Sequence, residues 1–359
     1  ARARAACVDE LPWSPKRWSA EDFEKARLHG EDTRMYRATE FLGQGAFAAV
    51  CKVQHRKTKQ WFAMKSIRPS SDRANRDAMV EIASAAGLRH PNIVELHGFW
   101  QEGRTYHMLF ELCEGGDLEA FSARHIFGQK LQDPSWRSGV EPRTAARLMF
   151  QMLAGAAYLH GSGLIHRDIK AANYLLKAAS ARCPLKLADF GFACRLAEGE
   201  MLRRRMGTPM YMAPEMLEGE PYDHKADMWS IGVTCHGVCT NARPFDGDGQ
   251  EYLSEARAGR VRGRDGAWRA QDPRARGFVM SLLRLEPRKR ASAAGALAEQ
   301  VWLREIADIA DACAAPIAQA SASKPRRTSL ANTPRSTSSP LLGPRRWPDL
   351  LPGATIPSA

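Results

Sequence analysis

At 359 residues and 44% hydrophobic composition, the chain is long enough to bury a substantial core as one large domain or two lobes with tails, and it reads as globular. The formal charge of +12 permits an acidic partner, but from Ser321 onward six Lys and Arg face the single acid Asp349, so a net +5 is local to the tail and no nucleic-acid partner is expected. No apolar run approaches the roughly 18 residues of a membrane span, and the N-terminus has no signal-peptide core.

The eight cysteines are scattered, and the closest pair, Cys235 and Cys239, has no neighbouring His or Cys to complete a zinc pattern. Buried or free thiols in a reducing compartment are expected, hence a cytoplasmic protein, with the nucleus left open. The chain begins with Ala1 rather than Met, so a portion upstream is expected.

Residues 1–35 carry balanced charge and no sustained periodicity, and they read as an arm that packs on a domain. From Met35 to about Met64 the order is strand, glycine turn, strand, turn, strand: "YRATEFLGQGAFAAVCKV", "KTKQ" and "WFAMKSI". Residues 72–89 take helical spacing through Met79, Ile82, Ala86 and Leu88 until Pro91 breaks the run. Beyond Cys113 the chain is mostly helical, with clear helices over 144–163 and 226–239. A small sheet with one helix, then a helical region, implies two lobes with the site in the cleft between them. After Leu303 an amphipathic segment, 304–320, gives way to a Ser/Pro/Arg-rich tail, 321–359, whose composition sustains no core.

The chemistry is concentrated in short stretches. In "LGQGAFAAV", Gly43 and Gly45 lie between two strands, where glycine lets backbone N–H groups approach phosphate oxygens; a plain hairpin turn has the same composition. Lys65 ends a strand, and Glu81 sits mid-helix before "LRHPNIV". Alone, each reads as a surface residue. Together they supply a phosphate cradle, a cation for the phosphates and a carboxylate to hold that cation. In "HRDIKAAN", Asp168, Lys170 and Asn173 supply what phosphoryl transfer requires: a carboxylate for a hydroxyl proton, a cation for the moving phosphate and an oxygen ligand for Mg²⁺. "LADFG" adds Asp189 as a second metal-binding carboxylate, and "GTPMYMAPE" and "DMWSIGV" follow in order.

This ordered set resembles the eukaryotic protein kinase family over about Tyr36 to Leu303. The resemblance implies an α+β, bilobal fold: an antiparallel β lobe with one helix over about 36–112 and a larger, mainly helical lobe over about 113–303. It implies that Gly43, Gly45 and Val50 cover ATP and that Lys65 pairs the phosphates and Glu81. Glu111 to Cys113 would form the adenine hinge behind Phe110, with Asp117 meeting the ribose. Asp168 is the implied base, with Asn173 and Asp189 holding Mg²⁺. Asp227 would brace the catalytic loop, and Glu215 would pair Arg290. Lys170 and Thr208 resemble the serine/threonine type, acting on protein substrates. "ELCEGGDL" and "YDHKADMWSIGV" are most similar to the calcium/calmodulin-dependent and calcium-dependent group.

Departures from the pattern carry expectations of their own. Ala48 stands where a third loop glycine is usual, and residues 129–143 lengthen a connection, with "DPSWRSGVEP" as a surface insertion. Ala172 and Gly237 replace acids that recognise substrate arginines. "FDGDGQEYL" begins like a calcium loop but places Arg257 where the bidentate Glu belongs. In "VWLREIADIADAC", Trp302, Ile306, Ile309 and Cys313 share one helical face that packs on the second lobe; a partner-binding helix is the other reading.

Between the D-F-G and A-P-E motifs, residues 192–206 contain no Ser, Thr or Tyr. Glu198 or Glu200 is therefore expected to offer Arg167 or Arg203 a permanent negative charge, with activity independent of phosphorylation there. In the tail, Ser329 and Ser338 are the expected phosphorylation sites, the second resembling a docking site for phosphoserine-binding adaptors. The alternative to an active kinase is a pseudokinase, an ATP-binding scaffold without catalysis.

Overall fold

A computed structural model describes residues 7–8, 27–44, 48–136, 139–180, 182–262, 266–300 and 302–303. Five antiparallel strands, β1 (Tyr36–Gln44), β2 (Ala48–His55), β3 (Trp61–Ile67), β4 (Leu96–Glu102) and β5 (Thr105–Glu111), form one sheet in the order β1-β2-β3-β5-β4. Burial alternates along β3: Phe62 and Met64 are buried while Ala63 and Lys65 are partly open, as the two-residue period of a strand requires. Phe62 and Met64 pack with Tyr36, Val53 and Trp100 on one face. The opposite face, with Lys65, is left for the cleft.

Helix α1 (Asp72–Ala85) starts where the Ser71 side chain accepts from the Ala74 N–H at 3.2 Å. Ala78, Ile82 and Ala85 form its buried stripe, and Glu81 is buried among them. The helix stops short of the expected residue 89 because Gly87 takes a left-handed φ of 76° and unwinds the chain before Pro91.

The second lobe contains α2 (Leu118–Gln132), α3 (Pro142–Gly161), the short strands β6 (Leu164–Ile165), β7 (Tyr174–Leu176), β8 (Leu185–Leu187), β9 (Cys194–Arg195) and β10 (Met201–Leu202), then α4 (Pro214–Glu218), α5 (Lys225–Thr240), α6 (Gly249–Arg257), α7 (Pro273–Leu282) and α8 (Ala293–Glu299). Strand β7 pairs with β8 and β6 with β9, both antiparallel. Helix α5 is apolar nearly all round and nearly every residue is buried, so it forms the axis of the lobe. Cys235 and Cys239 are free and buried within it.

The connection before α3 departs from the expected surface insertion. Helix α2 runs on to Gln132, and Gly139 and Val140 donate backbone hydrogen bonds to the carbonyls of Cys239 and Val238 at 2.7 and 2.8 Å. Val140 is 1% exposed, so the end of this stretch is core. The apolar side chain and the free α5 carbonyls outweigh the polar composition around them.

From the N-terminal arm, Cys7–Val8 pairs in parallel with β10, and the Leu28 N–H donates to the Phe99 carbonyl at 2.8 Å. Trp302 packs against Phe278 with ring centroids 6.4 Å apart, while Ile306, Ile309, Cys313, Ser329 and Ser338 lie outside the described residues. Among the described residues, no helix is long and apolar enough to cross a membrane.

Candidate active site

Lys65 stands in register between Val50 of β2 and Met108 of β5. Its Nζ meets Glu81 Oε1 at 2.5 Å and Asp189 Oδ1 at 3.3 Å. Burial opposes the ammonium charge, but the Glu81 and Asp189 carboxylates outweigh it and raise the Lys65 pKa above its usual value. Three residues distant in sequence thus meet at one point.

Asp189 follows β8 with a φ of 62°, a left-handed conformation that costs a non-glycine residue about 1–3 kcal/mol. That turn sends Asp189 toward Lys65 and buries Phe190 edge-on to His166, with centroids 5.3 Å apart. Burial pushes the Asp189 pKa up, while Lys65 and His166 oppose it and leave it below the usual value.

The loop between β6 and β7 is held from beneath. Asp227, near the start of α5, accepts from the backbone N–H groups of His166 and Arg167, each at 2.8 Å, and faces His160 Nε2 at 2.9 Å. Burial raises the Asp227 pKa, but the hydrogen bond and charge of His160 reverse that, leaving it below the usual value. His166 Nε2 donates to the Ala188 carbonyl at 3.0 Å, which leaves Nδ1 to accept from the Asp168 N–H at 3.3 Å. The loop and the Asp189 turn are therefore one connected piece.

Asp168 is the convergence point. Its Oδ2 accepts from Lys170 Nζ at 2.8 Å and Asn173 Nδ2 at 3.0 Å, and its Oδ1 accepts from the Thr208 hydroxyl at 2.7 Å. Lys170 also donates to Thr208 Oγ1 at 2.8 Å. Thr208 is brought there by Gly207, whose φ is 102°, and a Cβ on Gly207 would stand 2.1 Å from the Arg167 carbonyl oxygen. Only glycine fits that approach.

The expected nucleotide side divides. At Gly43, paired with Val50, an added Cβ would meet nothing within 4 Å, so no protein atom demands glycine; the open space suits a phosphate. Gly45 lies outside the described residues. In the hinge, the Glu111 side chain turns away to Lys186 and Lys177, at 2.7 and 3.1 Å. The N–H and C=O of Cys113 bond to none of the described residues, leaving a donor and an acceptor for an adenine edge. Asp117 caps α2, its Oδ1 accepting from the Ala120 N–H at 2.7 Å, which ties one of its oxygens to structure. A cavity of about 350 Å³ lined by Trp61, His97, Glu111 and Lys177 borders the hinge and includes none of Lys65, Asp168 and Asp189.

For Mg²⁺ the donor chemistry fits. Asn173 uses its amide nitrogen on Asp168, which leaves its amide oxygen; the Asp189 side chain is 44% exposed. Two hard oxygen donors, completed by phosphate and water, suit this cation.

Glu215 and Arg290 form the expected buried pair, at 2.5 and 2.7 Å. Arg167 corrects an expectation: its Nε donates to the Phe192 carbonyl at 2.7 Å and its Nη1 to the Tyr222 hydroxyl at 3.5 Å, so neither Glu198 nor Glu200 serves it. The Tyr222 hydroxyl in turn donates to the Arg204 carbonyl at 2.6 Å. Neutral oxygens hold this guanidinium because β9 and the Leu202–Tyr222 bridge bring them close, while Glu200 turns back to the Ala197 N–H at 3.0 Å. His160 and Tyr222 had no local signal in the sequence.

Residues 36–303 match the family model described as the protein kinase domain. The calcium/calmodulin-dependent protein kinase type II of Caenorhabditis briggsae is 33% identical over 266 residues, covering 73% of this chain and 48% of the relative. The myosin light chain kinase A of Dictyostelium discoideum is 30% identical over 277 residues, covering 76% of this chain and 90% of the relative. The serine/threonine-protein kinase H1 of Homo sapiens is 28% identical over 292 residues, covering 80% of this chain and 66% of the relative. The chain spans about half or less of the length of several of its relatives, such as the 35% of the Caenorhabditis elegans type II enzyme.

Proposed function

The chain belongs to the protein kinase domain family, and on that premise we propose that it transfers the γ-phosphate of ATP to Ser or Thr hydroxyls of proteins, independently of phosphorylation in its own activation segment. The observation that carries the reading is the arrangement around Asp168, a carboxylate aimed by Lys170, Asn173 and Thr208. In this account Asp168 accepts the substrate hydroxyl proton as that oxygen bonds to the γ-phosphorus and the bond to the β–γ bridging oxygen breaks, releasing ADP. Lys170 offsets charge on the moving phosphoryl group. Lys65, fixed by Glu81, orients the phosphates, and Cys113 offers its backbone to adenine. Asn173 and Asp189 would hold Mg²⁺, which supplies charge neutralisation when bound.

Independence from phosphorylation rests on Arg167. Two of the three nitrogens of the guanidinium that would answer an activation-segment phosphate are engaged by the Phe192 carbonyl and the Tyr222 hydroxyl, while Nη2 is buried without an acceptor among the described residues. No Ser, Thr or Tyr occurs between residues 192 and 206 to receive one. Thr208 is committed to Asp168.

The test is Mg²⁺-dependent transfer of labelled phosphate from ATP to serine peptides, with Asp168→Asn and Lys65→Met beside the wild type. Transfer that both substitutions abolish supports the reading. Nucleotide binding with no transfer by the wild type would favour a scaffold instead. Ser329 and Ser338 are proposed as acceptors themselves, checked by mass spectrometry of the protein from its native cells.

A further inference from the structure

On one side, β10 is tied to Tyr222: the Leu202 N–H donates to the Tyr222 carbonyl and the Tyr222 N–H to the Leu202 carbonyl, each at 2.8 Å. Backbone groups of an extended chain alternate between its two edges, so Leu202 serves the Tyr222 edge and Met201 turns to the opposite one. An open strand edge is a template for another strand. Here Cys7–Val8 of the N-terminal arm occupies it in parallel, with Cys7 in register with Met201 and Val8 with Leu202. Because the Leu202 groups are spent on Tyr222, the N–H and carbonyl of Val8 are the ones that face β10 in that pair.

The contact continues inward. The Tyr222 hydroxyl donates to the Arg204 carbonyl at 2.6 Å and accepts from Arg167 Nη1 at 3.5 Å. Arg167 Nε is held at 2.7 Å by the Phe192 carbonyl, just ahead of β9, and its backbone N–H by Asp227. The arm, β10, Tyr222 and Arg167 thus form one chain of contacts that ends next to Asp168. Residues 192–206 contain no Ser, Thr or Tyr, so no phosphate on them can order this segment, and strand pairing is what holds β10. The same arm meets the sheet of the first lobe, where Arg27 bridges Phe99 and the Leu28 N–H donates to the Phe99 carbonyl at 2.8 Å. One arm is therefore fixed both to the activation segment and to the sheet.

We infer that the N-terminal arm is an activator in cis: Cys7–Val8 adds a strand to the free edge of β10, and by fixing β10 against Tyr222 it positions Arg167 and the loop that carries Asp168. This assignment rests on the kinase reading above and names what orders its activation segment. Backbone hydrogen bonds carry such a strand addition, so an extended segment in the right register is what the edge of β10 accepts. Two paired residues make a weak tie, which keeps the hold of the arm reversible.

The experiment uses the full chain and two variants. Val8→Pro removes the donor that faces β10 and adds a ring that a paired strand does not accommodate. Met201→Cys places a thiol in register with Cys7, at the separation of about 4.8 Å between paired strands that a disulfide spans. For the wild type and Val8→Pro, kcat on a serine peptide, ATP affinity by calorimetry and amide hydrogen exchange are measured. The expected kcat of Val8→Pro is about three- to thirtyfold lower, the effect of one or two backbone hydrogen bonds on a two-state equilibrium. ATP affinity stays at the wild-type value, and exchange quickens over residues 201–206 but not in α5. In Met201→Cys, mild oxidation links Cys7 to position 201 within one chain, mapped by mass spectrometry, and the linked form keeps at least the kcat of the reduced form. An unchanged or higher kcat in Val8→Pro, faster exchange in α5 as well, no link, or a link joining two chains overturns the assignment. No transfer by the wild type, with the link and the exchange difference in place, would overturn the kinase reading and leave the pairing of the arm standing.

Discussion

The loop from His166 to Asn173 and the segment from Phe192 to Met206 both surround Asp168, yet they handle charge in opposite ways. In the loop, carboxylates and cations are matched: Asp227 holds two backbone N–H groups and His160, and Asp168 holds Lys170, Asn173 and Thr208. In the segment, three successive arginines run to Met206, and the one deep cation nearby, Arg167, is satisfied in part by neutral oxygens. A group that must be preorganised at the reacting atoms is enclosed by partners that fix it.

The comparison breaks most completely at its centre. Asp168→Asn keeps the shape and removes the base, so kcat falls by about 10²–10⁴-fold while nucleotide affinity stays near wild type, read by steady-state kinetics and by calorimetry with ATP. Asp227→Asn attacks the brace instead. It leaves His160 and two backbone donors with a weaker acceptor at a site 1% exposed, and stability falls by about 3–5 kcal/mol in urea titrations at neutral pH. The Asp227 pKa is depressed in the folded state, so its contribution is present above about pH 4 and is lost as pH falls through the lower folded value. The gap between wild type and variant therefore closes in acid; a constant gap would show that the carboxylate charge is not what braces the loop.

Two milder substitutions sharpen the contrast from the segment side. Tyr222→Phe removes the hydroxyl between Arg167 and the Arg204 carbonyl, and it should cost about 1 kcal/mol of stability with only a few-fold loss of kcat. Glu198→Gln should leave kcat within about twofold, because an exposed charge with no partner among the described residues contributes little. A large loss there would restore Glu198 as a counter-charge for the segment.

Much of the site was legible because its residues sit in short, ordered stretches whose side-chain types suit one chemistry. Lys65 meets Glu81 and Asp189, and Asn173 meets Asp168, so residues from separate stretches gather in two groups. His160 and Tyr222 were not legible, since their partners lie 67 and 55 residues away and depend on how α3, α5 and the segment pack. Of the two arginines expected to face Glu198 or Glu200, Arg167 was misread for a related reason: the Phe192 carbonyl and the Tyr222 hydroxyl reach it instead. In the fold, β1, β2 and β3 lie where the strand–turn order of the sequence places them. Gly87 ended α1 ahead of Pro91, and Val140 turned a polar connection inward.

The central claim is that the loop around Asp168 is assembled without a phosphate on the activation segment. The direct measurement is kcat on a serine peptide for protein made in bacteria, before and after phosphatase treatment, with mass spectrometry confirming that Thr208 and Tyr211 carry no phosphate. The account predicts that most of the activity survives. Loss of nearly all activity, restored by phosphorylation mapped to Thr208 or Tyr211, would contradict it.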